Sequence, residues 1–170
     1  MKLHTPPVKL PTLREGVVLA LFAALMIVSK EALAFLPNVE IVTLIIILIT
    51  HNMGAKSLYA VYVFCIVQAL IYPSGTWIIS YFYVWAILVF AVLALRKSAN
   101  TLVYTVLAAL FGVLFGVLSS IPNFLIGGFG YGVSWIISGL SFDLVHCAGN
   151  AVTVLLLFAP LNKVLKKTLK

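Results

Sequence analysis

The chain has 170 residues, of which 64% are hydrophobic and 9% are charged, and its formal net charge is +7. Soluble domains carry about 25% charged residues, so this composition excludes a domain that folds in water and predicts an integral membrane protein. The positive charge does not indicate nucleic-acid binding, because the basic residues lie singly or in small groups between apolar segments, as topology determinants do.

Six apolar segments follow one another along the chain. A membrane-spanning helix needs about 20 apolar residues, and only helices and closed barrels satisfy the backbone inside a bilayer. Since the segments are continuous rather than alternating, they predict an all-α fold with six transmembrane helices in a single domain over residues 1–170. The predicted spans are residues 16–36, 38–53, 57–72, 76–95, 101–121 and 132–159.

The basic residues predict the orientation of these helices. With the N-terminus in the cytoplasm, ten of the eleven Lys and Arg residues lie on the cytoplasmic side, and Lys30 is the exception. Both termini are then cytoplasmic, and outer loops are expected at 36–40, 73–76 and 122–131, the last of which is glycine-rich and expected to be flexible. The ten cytoplasmic residues are Lys2, Lys9, Arg14, Lys56, Arg96, Lys97, Lys163, Lys166, Lys167 and Lys170.

The first predicted helix ends in the sequence SKEALAF, residues 29–35, which places Lys30 and Glu31 in its outer third. Ala32 and Ala34 have the small side chains found at signal-peptidase sites, but the segment before the apolar run is long and contains three prolines, unlike a leader. We therefore expect this helix to be retained. A charge at that depth is costly, so either Lys30 reaches the outer headgroups and Glu31 pairs locally, or one or both line a cavity that opens outward.

Small residues recur at every fourth position in two of the predicted helices. Ala20 and Ala24 form an A-x-x-x-A motif in the cytoplasmic half of the first helix. Such patterns let helices approach closely. We expect the longer series, in the fifth helix, to serve internal packing, and the pair in the first helix to be a candidate contact for a partner. The fifth-helix series is Ala108, Gly112, Gly116 and Ser120.

Aromatic residues crowd the fourth predicted helix and flank the glycine-rich loop. Trp and Tyr favour membrane interfaces, which accounts for Trp77 at the start of the helix and is an option for Tyr81. Trp85 lies deeper, so it either packs internally or stacks on a ligand. Tyr131 and Trp135 flank the loop, where they could close over a bound molecule.

The last predicted helix contains a polar series in an otherwise apolar segment. Asp143, His146 and Asn150 are spaced i, i+3 and i+7, which places them on one helical face. Such residues rarely face lipid, so they hydrogen-bond to another helix, line a substrate cavity, or form a metal site or proton relay. No second His or carboxylate stands at helical spacing to complete a zinc site, and we predict no metal centre.

Four stretches of the sequence resemble the substrate-binding S components of energy-coupling factor (ECF) vitamin transporters. They are ALMIVSKEALAFLPNVEIVTLIIIL (residues 24–48), YAVYVF (59–64), YVWAIL (83–88) and FDLVHCAGNAVTVLLLFAPL (142–161). The resemblance implies a six-helix protein of the bacterial cell membrane with an outward-facing vitamin site.

The same resemblance implies partners. They are a membrane scaffold (T) subunit and two cytoplasmic ATPase subunits, which use ATP while the whole S component topples in the membrane to deliver the vitamin. Ala20 and Ala24 match the A-x-x-x-A motif with which the family contacts the scaffold. The absence of the ATP-binding pattern G-x-x-x-x-G-K-[ST] from the chain fits an ATPase supplied by partners.

The resemblance leaves the vitamin open. Overall likeness to members assigned to cobalamin makes cobalamin the first expectation, with no intrinsic cofactor in the chain. A large, amide-rich ligand would use polar groups such as Glu40 and Asn123 and the loop 122–131, whereas riboflavin, a flat vitamin, would favour the aromatic residues. The candidate substrate-binding residues are Lys30, Glu31, Glu40, Trp85, Asn123, Tyr131, Trp135, Asp143, His146 and Asn150.

Two other functions are compatible with the sequence. A self-sufficient channel or proton-coupled carrier would use Lys30, Glu31, Asp143 and His146. A membrane enzyme acting on a lipid or prenyl substrate would use His146 and Asp143. No Ser/His/Asp or paired-carboxylate arrangement indicates catalysis, so we predict that the protein is not an enzyme.

Overall fold

A computed structural model of the chain describes residues 10–36, 39–97 and 100–168. Most of these residues are helical, and no strand occurs among them. Lys2, Lys9 and Lys170 lie outside these ranges, as do residues 37 and 38, where the second span is predicted to begin. The helices are α1 (Leu13–Ala32), α2 (Val42–Met53), α3 (Ser57–Ile71), α4 (Trp77–Leu95), α5 (Thr101–Ser119) and α6 (Ile121–Thr168), and the 3₁₀ turn Gly54–Lys56 joins α2 to α3.

Four helical segments in the described part of the chain are long and apolar enough to cross a membrane. They are Val42–Ile71, Trp77–Leu95, Thr101–Ser119 and Ile121–Thr168. The first combines α2, the 3₁₀ turn and α3, and α1, which carries two charged residues near each end, is not among the four. The fold is thus consistent with the all-α membrane protein expected from the composition, while six separate spans remain a prediction.

One end of the helical bundle, here called the basic end, collects positively charged residues. Lys56 Nζ, in the turn between α2 and α3, lies 2.6 Å from Glu15 Oε1 at the start of α1. At the same end, Arg14 donates a hydrogen bond to the carbonyl of Thr168 at the end of α6 (2.9 Å). The guanidinium of Arg96, just after α4, lies against Gly54. Among the described Lys and Arg residues, Lys30 alone lies away from this end.

Lys30 lies at the opposite end, here called the Lys30 end. There the hydroxyl of Tyr72, which follows α3, donates a hydrogen bond to Glu31 near the end of α1 (2.6 Å). Ser80, in the first turn of α4, donates to the carbonyl of Ser119 at the end of α5 (2.9 Å). Helices α1, α3 and α5 therefore run from the basic end to the Lys30 end, and α2, α4 and α6 run in the opposite direction.

Helix α2 forms the centre of the bundle. Nine consecutive residues, 42–50, are buried, and α2 contacts each of the other five helices. A helix that is apolar on every side is buried in a protein core or in a membrane, and the Ile-rich α2 is buried by the helices around it. Its 12 residues give a length of about 18 Å. Gly54, with φ of +66°, ends it in a backbone conformation that favours glycine.

The structure contradicts the predicted flexible loop at 122–131. A short helical stretch begins at Ile121 and continues up to a kink at Gly128, and the long part of α6 follows the kink, close to the predicted start at residue 132. Within this segment only Gly128, with φ of +76°, leaves the helical conformation, and the kink there lets Gly132 pack against the ring of Phe124. The prediction of a loop was wrong because the glycines here permit one kink and close helix packing rather than a flexible segment.

The ion pair at the basic end predicts a small pH-dependent contribution to stability. Hydrogen bonding from Lys56 is the main cause that lowers the pKa of Glu15 from 4.5 to about 2. Since the folded-state pKa is the lower one, the stabilisation is present above pH 4.5 and is lost as the pH falls towards 2. Glu15→Gln should therefore lower the melting temperature in detergent slightly at pH 7, because both side chains are partly exposed to solvent.

The difference in melting temperature between Glu15→Gln and the unaltered protein should shrink as the pH is lowered towards 2. Thermal unfolding followed by circular dichroism at several pH values measures this difference. An equal difference at all pH values would show that Glu15 does not act through its charge.

Candidate functional site

A cavity of about 190 Å³ lies at the Lys30 end of the bundle. Side chains from the connection between α1 and α2 form one wall, and α4, α5 and α6 supply the others. The lining residues are Lys30, Leu33, Ala34, Leu36, Val39, Glu40, Val42, Tyr81, Trp85, Phe115 and His146. Four of the ten predicted substrate-binding residues are therefore gathered here: Lys30, Glu40, Trp85 and His146.

A second, more open cavity of about 430 Å³ shares two lining residues with the first, Lys30 and Tyr81. Its other walls come from the end of α3, the connection to α4 and the first turn of α4. The remaining lining residues are Gln68, Ile71, Tyr72, Pro73, Ser74 and Trp77. Lys30 therefore has access to both spaces.

The polar side of the first cavity is built on Glu40 and His146. Glu40 Oε1 lies 3.0 Å from His146 Nε2, and both side chains are largely buried. Glu40 also accepts hydrogen bonds from the backbone N–H and the hydroxyl of Thr43 (2.9 and 2.5 Å), which ties it to the first turn of α2. His146 Nδ1 is buried and has no hydrogen-bond partner among the described residues. Such a nitrogen can hydrogen-bond to a ligand.

The apolar side of the first cavity is aromatic. Trp85 is 3% exposed, and its ring centroid lies 5.6 Å from that of Tyr81 and 5.5 Å from that of Phe115. Phe115 in turn lies 5.0 Å from the ring of His146. The indole Nε1 of Trp85 is buried without a partner among the described residues. The wall therefore combines flat apolar surface with one free hydrogen-bond donor.

Lys30 and Glu31 have different surroundings. Lys30 lines both cavities, and its Nζ lies 5.9 Å from the centroid of the Tyr72 ring, within the range of a cation–π contact. Glu31 accepts hydrogen bonds from Gln68 (3.0 Å) and from the Tyr72 hydroxyl (2.6 Å), and lines neither cavity. Glu31 thus pairs locally with α3, whereas Lys30 is available to a molecule in either space.

The other polar residues of α6 pack against α5 instead of lining the cavity. Asp143 Oδ1 accepts a hydrogen bond from the backbone N–H of Gly116 (3.1 Å), and Asn150 donates to the carbonyl of Ala108 (3.4 Å). These contacts support the packing role expected for the small-residue series of α5. Of the three polar residues of α6, only His146 lines the first cavity, and the other two bond to α5.

Three further predicted residues lie away from both cavities. Asn123 is fully buried, and neither of its side-chain polar atoms has a hydrogen-bond partner among the described residues. Tyr131 and Trp135 are 48% and 41% exposed, and their ring centroids lie 6.5 Å from each other. In this structure the two aromatic residues do not close over the cavities.

Several lining residues were not among the candidates from the sequence. Gln68 is a polar residue near the end of the apolar run of α3, a signal that could have identified it. Tyr81 belongs to the aromatic run of α4, but an interfacial role was an equally good explanation. Phe115 had no distinguishing signal, because an aromatic residue in an apolar helix predicts only burial.

The A-x-x-x-A motif faces an apolar groove between α1 and α3. Ala20 and Ala24 are exposed, and the groove has a volume of about 340 Å³. The other residues that line the groove are Pro11, Gly16, Leu19, Ala23, Ile27, Tyr59, Ala60 and Val63. Small side chains along α1 leave this surface open enough for another helix to approach closely.

No protein-family model, curated protein or solved structure matches this chain. Within the described ranges, no three His, Cys, Asp or Glu side chains come together to hold a metal ion. Function has to be inferred from the two cavities, the groove and the distribution of charge.

Proposed function

We propose that the chain is the substrate-binding component of an ECF-type vitamin importer, with six membrane-spanning helices and both termini in the cytoplasm. The observation that carries the proposal is that the Lys and Arg residues and the first cavity lie at opposite ends of the bundle. The described basic residues other than Lys30 lie at the basic end, which the positive-inside bias assigns to the cytoplasm. The cavity lined by Lys30, Trp85 and His146 lies at the opposite end and so opens outward, where an importer captures its substrate.

The lining of the first cavity favours a ligand that has a flat ring with a polar or anionic edge. Tyr81, Trp85 and Phe115 offer aromatic surface for stacking, while Lys30 and His146 offer a cation and a free ring nitrogen. Small-molecule sites commonly combine a mainly apolar wall with a few polar groups that fix orientation. A nitrogen heterocycle such as the ring system of riboflavin has this character.

The size of the first cavity favours a vitamin smaller than cobalamin. Pockets for drug-sized ligands have volumes of about 300–1,000 Å³, and the cavity around His146 has about 190 Å³. Cobalamin carries a corrin ring, a nucleotide loop and several amide arms, so it would need this cavity and its neighbour to merge and widen. We therefore propose a smaller, ring-containing vitamin in place of cobalamin.

The groove along Ala20 and Ala24 supports the partner part of the proposal. It lies on the side of α1 that packs against α3 and is lined by apolar residues with small side chains on α1. A helix of the scaffold subunit could approach there closely. The ATP that drives transport is then hydrolysed by two partner ATPases, and the chain itself supplies binding and delivery.

Mass spectrometry of small molecules that co-purify with the protein tests the proposal directly. We expect one ring-containing vitamin at near-stoichiometric amount, bound without ATP. Titration of the emptied protein with riboflavin and with cobalamin then compares the two vitamins. If no vitamin co-purifies and neither one binds at micromolar concentration, the proposed function is wrong.

Trp85→Phe should weaken vitamin binding about 10-fold. The change keeps an aromatic ring at the cavity wall but removes the indole N–H, which is buried without a partner among the described residues and which we expect to donate a hydrogen bond to the vitamin. A hydrogen bond contributes about 0.5–1.5 kcal/mol, and 1.4 kcal/mol corresponds to a factor of 10 in the dissociation constant. Isothermal titration calorimetry with the co-purified vitamin measures the change.

Trp135→Phe provides the matched control, because Trp135 lies away from both cavities. The control should bind the vitamin as tightly as the unaltered protein. Equal affinities for all three proteins would mean that the Trp85 N–H does not contact the vitamin.

The contact between Glu40 and His146 favours one second candidate function, a self-sufficient proton-coupled carrier. A carboxylate and an imidazole 3.0 Å apart can exchange a proton beside a bound substrate. This candidate predicts pH-dependent uptake by the isolated protein in liposomes, abolished by His146→Ala. The importer predicts no uptake until the scaffold and ATPase subunits are added.

A further inference from the structure

A third cavity lies at the basic end, where the end of α2, the start of α5 and the C-terminal part of α6 meet. It has a volume of about 470 Å³. Its lining residues are His51, Asn100, Thr101, Phe158, Ala159, Asn162, Lys163 and Lys166. The vitamin site uses none of these residues, because it lies at the other end of the bundle.

The charge around this cavity is positive and is not neutralised by described carboxylates. Lys163 and Lys166 line the cavity. The four described carboxylates have other partners: Glu15 pairs with Lys56, Glu31 with Gln68 and Tyr72, Glu40 with Thr43 and His146, and Asp143 with Gly116. The start of α5 adds the partial positive charge of a helix N-terminus at Thr101. An anion is the complementary ligand.

The walls of the cavity are held in place by contacts among its neighbours. His51 Nδ1 lies 2.8 Å from the Tyr104 hydroxyl, and its ring packs edge-on against Phe158 at 5.6 Å. Asn162 accepts a hydrogen bond from Asn52 (2.9 Å). The neutral polar groups of the cavity are therefore positioned by the fold, while Lys163 and Lys166, which are exposed, can turn towards a ligand.

The cavity borders apolar surface as well as charge. Phe158 and Ala159 belong to its lining, and large apolar side chains are exposed beside it on α5 and α6, including Leu102, Leu161 and Val164. In a membrane protein such surface is covered by acyl chains. A ligand with an anionic head and an apolar tail matches both parts, and basic pockets at the cytoplasmic ends of transmembrane helices bind anionic headgroups.

We propose that this cavity binds the phosphate headgroup of an anionic phospholipid, with the phosphate between Lys163 and Lys166. The lipid anchors the C-terminal part of α6 at the membrane surface next to the start of α5. The proposal depends on membrane residence and not on the identity of the vitamin, so either proposal can fail while the other stands.

Native mass spectrometry of the full chain in detergent, titrated with dioleoyl phosphatidylglycerol or dioleoyl phosphatidylcholine, tests the site. We expect phosphatidylglycerol to bind at least 10-fold more tightly than phosphatidylcholine. The double variant Lys163→Gln/Lys166→Gln should lose about 30-fold in affinity for phosphatidylglycerol, since each lysine contributes about a factor of five. Lys163→Arg/Lys166→Arg, which keeps both charges, should retain binding.

The control is Lys97→Gln/Lys167→Gln, which removes two charges from the same end without altering the lining of the cavity. It should lose less than about 3-fold, because these charges act only from a distance. An equal loss in both glutamine variants, or no preference for phosphatidylglycerol, would overturn the proposal. Binding of glycerol 3-phosphate as tight as that of the lipid would also overturn it, in favour of a site for a free phosphate ester.

Discussion

Replacing Gly112 with leucine should leave little or no folded protein. A Cβ atom at Gly112 would lie 2.6 Å from the backbone nitrogen of Cys147 and 2.8 Å from the carbonyl carbon of His146. Backbone atoms cannot move aside cheaply, so α5 and α6 would have to separate. Overpacking by a few atoms already costs about 1–3 kcal/mol, and a leucine adds four carbon atoms. Yield and monodispersity in size-exclusion chromatography measure the loss.

Gly130→Leu serves as the control, because Gly130 is also helical but has open space where a Cβ would lie. It should fold normally. The smaller substitutions Gly112→Ala and Gly130→Ala should still give folded protein, so that the effect on stability can be measured. Gly112→Ala should lower the melting temperature, whereas Gly130→Ala should leave it unchanged or raise it slightly, since alanine favours helix by up to about 1 kcal/mol over glycine. Similar behaviour of both positions would mean that α5 and α6 do not approach as closely as described.

Ala24→Trp should abolish ATP-driven uptake while leaving vitamin binding intact. Ala24 is exposed in the apolar groove between α1 and α3, and an indole there would fill the space that a scaffold helix needs. The cavity proposed for the vitamin meets α1 at Lys30 and is not lined by Ala24, so its lining should not change. Reconstituted transport with the scaffold and ATPase subunits, compared with vitamin binding by the isolated chain, separates the two effects.

Ala94→Trp controls for the insertion of a large residue at the protein surface. Ala94 is likewise an exposed alanine of a helix, in the last turn of α4 near the basic end, but it does not line the groove. This variant should transport normally. If Ala24→Trp loses vitamin binding along with transport, the motif contributes to folding rather than to partner contact.

The helical nature of the chain could be predicted because it depends on composition over short windows. The Ile-rich sequence of α2 is apolar on every face, and a continuous apolar segment, without the alternation of a barrel strand, satisfies its backbone away from water as a helix. The collection of Lys56, Arg96 and Lys166 at one end followed from the same reasoning. Each of these inferences concerns how single residues partition between water and an apolar medium.

The candidate site could be predicted only in part. Glu40 was a candidate as a polar group for an amide-rich ligand, and Trp85 as an aromatic residue deep in its helix. Lys30 and His146 were candidates because a charged or polar group in an apolar helix needs a reason to be there. That criterion could not separate His146 from Asp143, which lies on the same helical face but bonds to the backbone of Gly116. It also could not detect Phe115, which was identified only by its position in the cavity wall beside Trp85 and His146.

The glycine-rich segment 122–131 is a second case in which the sequence pattern did not determine the structure. Glycine permits a flexible loop, a single kink or the close packing of two helices. The sequence alone does not show which of these three structures forms. The tertiary contacts decide between them, because Gly132 lies against Phe124 and, within this segment, only Gly128 has a positive φ. Tyr131 and Trp135 consequently belong to an exposed part of α6 and not to a closure over the cavity.

Composition and the order of charges determined that the chain is helical, with segments long and apolar enough to span a membrane and with one basic end, because the transfer of a residue out of water is a local property. The tertiary structure decided which polar residues line the cavity. That choice depends on how α6 is rotated against α5 at Gly112 and Gly116, and on Glu31 finding its partners on α3. These contacts join residues far apart in the chain, so no local pattern could have specified them.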